Sequence, residues 1–356
     1  MIKYLGSKRR LVGVLGELAA RSGATTALDL FTGTTRVAQE FCRRGIHTTA
    51  VDLASYSEVF ARCYVELDAA AVTADRDAEL AEALKWLERL PPVRGYVTEV
   101  FCERARYFQP TNGQRIDAIR DGIERRYADS WLRPVLLTSL IEAADRVDST
   151  IGLHMAYLKN WSARSHRPLQ LRRPELVPGT GRAVRGDATA LVDELPPVDL
   201  AYLDPPYNQH RYFTNYHIWE TLVRWDEPAT YGVACKRTDA REPGTRTVLD
   251  SRRTMPAALA DLIARVRAEL VVVSFNDEGF VPLNDLVRMC RVRGAVEVLA
   301  FDSQRHIGHR IGVHNPRGEL VGEPGRGRNL EYVLVAGAPE VVAATVAEHA
   351  SLLPRT

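Results

Sequence analysis

The sequence predicts an α/β protein built on a doubly wound, mostly parallel sheet, with a mainly helical insertion. Three observations carry this. Residues 24–53 read as one strand–helix–strand unit, residues 55–147 have helical spacing with few strand signals, and short apolar strands return after residue 183. The 356 residues hold 46% apolar side chains, enough for a sizeable core.

The elements follow in order. Thr25–Phe31 (TTALDLF) is a short apolar run of strand formers, and Gly33 closes it. In the stretch after it, Val37, Ala38, Phe41 and Cys42 share a helix face, and Gly45 suits a left-handed helix end. His47–Leu53 is the second strand and carries Asp52 near its end. Such a β-α-β unit opens a doubly wound sheet. The helical region from Ser55 to Val147 is broken by Pro91-Pro92, and acids outnumber cations nine to four over residues 51–90. Residues 151–186 reverse the sign, with seven cations against the single acid Glu175. Strands are then expected at Ala183–Asp187, Val198–Asp204, Glu269–Phe275, Ala295–Phe301 and Leu330–Gly337, with a long Gly/Arg/His-rich loop at 302–329. The expected domains are 1–54 plus 181–356 as a catalytic domain and 55–180 as the insertion.

Bulk composition excludes several classes. Lys plus Arg is 47 against 45 for Asp plus Glu, a net charge of +2, so neither a polyacidic tail nor a polycation is present. The five cysteines, at 42, 63, 102, 235 and 290, form no C-x-x-C pair, which argues against a disulfide framework or a zinc ribbon. His306 and His309 lack a cysteine partner, and no metal is expected. No apolar run reaches membrane-helix length, and MIKYLGSKRR has no apolar leader core, so a cytoplasmic protein is expected.

Four constellations carry chemistry. Leu28–Gly33 (LDLFTG) is a strand end followed by a glycine and a helix start, where a ligand can approach the backbone. An ordinary strand-to-helix turn is an equal reading of it. Asp52 stands 19 residues beyond Gly33, where a carboxylate can accept bonds from ribose hydroxyls or cap the next helix. Asp187 ends another strand and can meet an adenine amine or cap a helix. The most specific is Asp204-Pro205-Pro206-Tyr207 after an apolar strand. The prolines remove two N–H donors. A carbonyl and a carboxylate are then left beside an aromatic ring, the set that an exocyclic amine on a planar base requires.

With these motifs in this order, the chain resembles the DNA adenine methylase family, the N6-adenine DNA methyltransferases of the α arrangement. Tyr4–Lys8 (YLGSK) is similar to the family's leading motif, LDLFTG to its cofactor loop, and DPPY to its catalytic motif. Members often carry F-x-G-x-G in the cofactor loop; here Thr35 stands at the second glycine. The resemblance implies a Rossmann-like methyltransferase sheet, S-adenosylmethionine as cofactor, and a target-recognition insertion. It implies cofactor roles for Tyr4, Lys8, Asp29, Phe31, Gly33, Asp52, Asp187 and Asp204. Asp204, Pro205, Pro206 and Tyr207 would hold and stack a flipped-out adenine. Lys159, Arg164, Arg167, Arg172, Arg173 and Arg211 are the expected DNA contacts. The implied partners are double-stranded DNA and a cognate restriction or defence component, with no membrane. Three rival readings stay open from the residues alone: methylation of cytosine N4 or RNA adenine, a nucleotide-binding oxidoreductase, and an inactive DNA-binding module.

Overall fold

A computed structural model describes residues 2–6, 8–208, 211–304, 313–314, 320–322 and 328–347. Seven main strands are labelled in chain order: β1 Thr26–Leu30, β2 His47–Asp52, β3 Gly181–Arg185, β4 Val198–Leu203, β5 Ala268–Asn276, β6 Ala295–Gln304 and β7 Arg328–Gly337. Each expected strand is present within two residues at its start and three at its end. The chain forms two compact units: Met1–Ser7 with Thr32–Asp187 and Arg211–Thr247, and Lys8–Phe31 with Ala188–His210 and Val248–Thr356.

The unit that contains β1 holds five of the strands. β1 runs parallel to β4, with Leu28 opposite Ala201. β4 runs parallel to β5, with Leu203 opposite Val273. β7 lies antiparallel between β5 and β6, pairing Tyr332 with Phe275 and Val333 with Leu299. The inner strands are continuous apolar runs because both faces are covered. Leu200 to Leu203, Leu270 to Val273 and Val333 to Ala336 are all buried. The helix Val12–Arg21 packs on the helix Pro339–Val346. The fold class is therefore the expected one, a mostly parallel α/β sheet.

The other unit holds the parallel pair β2 and β3, with Asp52 opposite Arg185, and the helices of the insertion. Helix Pro110–Tyr127 begins with proline, whose missing N–H costs nothing at a first turn. Ile116, Ile119 and Ile123 recur at helical spacing and are buried, as are Leu136, Leu137, Leu140 and Ile141 of helix Leu132–Val147, the helix beside it. Trp219 and Leu222 of helix His217–Arg224 join the same core. A smaller core places Ala38 and Cys42 of helix Arg36–Arg43 with Ala50, Ala61 and Val65. These contacts group residues 32–54 and 211–247 with the helical region, so the compact units differ in boundary from the expected 55–180 insertion. All five cysteines are buried free thiols. No helix among the described residues is long and apolar enough to cross a membrane.

Candidate active site

In the β1-containing unit, the apolar strand β4 delivers Asp204 at its carboxyl end. The Asp204 amide donates to the Leu30 carbonyl at 3.3 Å, which prolongs the β1–β4 ladder by one bond. Pro205 and Pro206 are buried. Tyr207 is held from both ends. Its carbonyl accepts from the Phe280 amide at 2.8 Å, and its ring lies 4.9 Å from that of Phe275.

The Tyr207 hydroxyl lies 2.6 Å from Asp204 Oδ1 and 2.8 Å from Glu331 Oε1. Lys8 Nζ is 2.8 Å from each of those two oxygens, and it also donates to the Tyr207 hydroxyl. Two carboxylates thus share one ammonium and one phenol proton. Burial pushes the Asp204 carboxyl up, Lys8 pulls it down, and Glu331 pushes it up again; the net direction is upward. Burial opposes the charge on Lys8, but Asp204 and Glu331 outweigh it and hold the ammonium above its ordinary value. Asp29 is buried inside β1, opposite Tyr202. Phe31 is half-buried with a left-handed backbone, φ +72°.

In the other unit, the loop after β1 is tied to β2. The Thr32 amide donates to Val51 O at 3.0 Å, and the Gly33 amide donates to Asp52 Oδ2 at 2.8 Å. Asp52 Oδ1 accepts from the Ala54 amide at 2.9 Å, and the Asp52 carbonyl accepts from the Gly186 amide at 2.9 Å. Burial raises the Asp52 carboxyl while the amides of Ala54 and Gly33 lower it, and the net shift is upward. Tyr4 covers Gly33 and stacks on Tyr216 at 4.7 Å and Tyr212 at 5.4 Å. Its hydroxyl is 3.3 Å from that of Tyr56. A cavity of about 850 Å³ opens beyond β2 and β3, lined by Leu53, Arg185, Gly186, Phe213, Glu220 and Arg224. Asp187, half-buried, follows Gly186 in the chain.

This half fits a nucleoside-bearing cofactor. The Gly33 and Ala54 amides fix the Asp52 carboxylate at the end of β2, where a carboxylate can accept from a hydroxyl donor. The cavity beside Leu53 has the volume of a small-ligand pocket, and Tyr4, Gly33, Asp52 and Asp187 are not among its lining residues.

The expected DNA contacts separate. Lys159, Arg167 and Arg172 are exposed. Arg164 is spent on the chain itself, donating to the carbonyls of Asp148 at 2.8 Å and Thr150 at 2.6 Å and to the Asp148 carboxylate. Arg173, exposed, pairs with Asp77. Arg211 is half-buried. Ser7, Gln209, His210, His306, His309 and most of the 302–329 loop lie outside the described residues. Among the described residues, no group of three or more His, Cys, Asp or Glu is arranged to hold a metal. The sequence reading missed Glu331. Its signal was an acid at the head of an otherwise apolar strand.

The family model for the D12 class of N6 adenine-specific DNA methyltransferases matches residues 4–260. The chain is 29% identical to the type II methyltransferase M.NlaIII of Neisseria lactamica, over 85% of this chain and 92% of that protein. It is 28% identical to the type II methyltransferase M.CviAII of Paramecium bursaria Chlorella virus 1, with the same coverage of 85% and 92%. It is 27% identical to the modification methylase StsI of Streptococcus sanguinis, over 83% of this chain and 48% of that protein, so it spans about half of that longer relative.

Proposed function

The chain belongs to the D12 class of N6 adenine-specific DNA methyltransferases, and within it we propose that Asp204 and Tyr207 receive an adenine extruded from double-stranded DNA, with S-adenosylmethionine as methyl donor. The family's chemistry is methylation of adenine N6 in DNA, which separates this chain from the cytosine-N4, RNA and oxidoreductase readings.

The observation that carries the assignment is the convergence of Asp204, Lys8 and Tyr207 at the end of β4. Asp204 and the Pro205 carbonyl accept the two amine hydrogens and aim the nitrogen lone pair away from the ring. Tyr207 presents its ring to the base. When bound, S-adenosylmethionine supplies a methyl group activated by its sulfonium, so positioning and charge stabilisation are what this chain must add. Tyr4, Gly33, Asp52 and Asp187 are cofactor residues, as are Lys8, Asp29 and Phe31. Lys159, Arg167, Arg172 and Arg211 contact DNA phosphates, which offsets the few kcal/mol of unstacking. The protein acts in the cytoplasm beside a cognate restriction or defence component.

The test is methylation of matched DNA and RNA oligonucleotides, read by nucleoside mass spectrometry, for wild type and Asp204→Ala. The expected result is N6-methyladenine in duplex DNA only, with the variant still binding both ligands but slowed on the order of a hundredfold or more. Full activity in the variant, or unmodified duplex adenine with wild type, removes the assignment.

A further inference from the structure

Glu331 is the one member of the Asp204 cluster that the chemistry above leaves without a task. It comes from β7, opposite Asn276 of β5, and reaches both Tyr207 and Lys8 at 2.8 Å. Its side chain is 14% exposed, so it touches water, whereas Lys8 is 5% exposed. Two carboxylates face one ammonium, so the cluster has room for one more proton.

The reaction produces that proton. N6 gains a methyl carbon as the donor's carbon–sulfur bond breaks with its electron pair left on sulfur, and N6 then sheds one proton. We propose that Glu331 is the outlet for this proton, reached through the Tyr207 hydroxyl. The proposal rests on the reading of Asp204 as the amine acceptor. With the single phenol proton turned to Glu331, Asp204 Oδ1 keeps Lys8 Nζ at 2.8 Å, gains an acceptor position for the amine and takes its proton. Oδ1 then passes a proton to the Tyr207 oxygen while the phenol proton moves to Glu331 Oε1. Both transfers run along contacts already made, at 2.6 and 2.8 Å. Glu331 returns the proton to water, and the cluster recovers its starting charge. The other titratable group facing the pair is Tyr202, whose hydroxyl is engaged with Ser274 Oγ at 2.9 Å and stands outside this route.

The experiment is single-turnover methylation of a duplex over a pH series by wild type, Glu331→Gln and Tyr207→Phe. Cofactor and duplex affinities are measured alongside. Both variants are expected to bind within about threefold of wild type and to transfer methyl on the order of ten- to a hundredfold more slowly. Glu331 raises the Asp204 carboxyl and the Tyr207 hydroxyl lowers it. The acid limb of the rate profile therefore moves to lower pH in Glu331→Gln and to higher pH in Tyr207→Phe. A wild-type rate in either variant overturns the relay. So does a slowed Glu331→Gln with an unmoved acid limb, which marks Glu331 as structural; if that variant does not fold, Tyr207→Phe decides. Failure of wild type to methylate adenine sinks the reading of Asp204 instead, whatever the variants do.

Discussion

Left-handed backbone occurs at three of the five residues from Phe31 to Thr35, with φ of +72° at Phe31, +53° at Gly33 and +60° at Thr35. Glycine carries no steric penalty there, but a β-branched residue pays about 1–2 kcal/mol. Thr35 occupies the position where the family resemblance leads one to expect glycine. Its hydroxyl donates to the Thr34 carbonyl and accepts from Gln39 Nε2, and its side chain is buried. Those contacts offset the strain, so the departure is compensated locally. Gly33 has no such latitude, because a Cβ would sit 2.9 Å from Tyr4 Cε1. In Gly33→Ala the Tyr4 ring is displaced and the amide bond to Asp52 lengthens. Calorimetric titration with S-adenosylmethionine should show a loss of affinity of about tenfold, matching about 1–2 kcal/mol of strain. Undiminished affinity would separate this loop from the cofactor.

At the scale of elements, the basic run 151–186 shows what a charge count cannot resolve. Apart from one short turn at Ala163–His166 and strand β3, it has no regular structure, and its side chains divide by what lies under them. Asp148 is buried and also accepts from Lys3 Nζ at 3.0 Å, so Arg164 completes a buried polar junction. Removing it in Arg164→Ala leaves the Asp148 carboxylate to Lys3 and Thr150 Oγ1 and takes the guanidinium from the Thr150 carbonyl, and urea unfolding should show a loss of about 1–2 kcal/mol. Arg167→Ala and Arg172→Ala expose nothing. Each should alter stability by less than about 0.5 kcal/mol and lower the salt dependence of DNA binding by about one unit of slope. A salt titration in which the slope stays at the wild-type value removes these two residues from the phosphate contacts.

For the whole molecule, the net charge of +2 leaves no long-range pull on DNA, so attraction has to come from local patches. The same near-balance hides buried acids with altered titration. Asp145 is pushed up to about 6, first by burial, with Lys3 pulling it down and Asp148 pushing it up. An acid whose folded value is raised binds more protons folded than unfolded. Its contribution to stability therefore grows as pH falls from about 6 toward its ordinary value near 3.8 and is lost again on the way up. Relative to Asp145→Asn, wild type should gain on the order of 1–3 kcal/mol between neutral pH and pH about 4, measured by urea unfolding at each pH. A pH-independent difference between the two proteins would show that Asp145 titrates as it does in water.

Much of this protein was readable from its chain because the determinants are local. Val198–Leu203 is a strand through its own apolar run, and the turn after it owes its shape to two adjacent prolines. Asp52 meets the Gly33 amide because one β-α-β unit returns the chain to its start. Glu331 is different. It lies 124 residues from the tyrosine it bonds, and its one local mark, an acid ahead of an apolar run, does not name that partner. Lys8 likewise acquires both carboxylates only when β4 and β7 converge on it. Arg164 and Arg167 are the same letter three residues apart, and one staples a buried turn while the other faces solvent. Periodicity and turn chemistry act over a few residues, whereas the partner and the dielectric of a charged group are set by whichever distant segment packs against it.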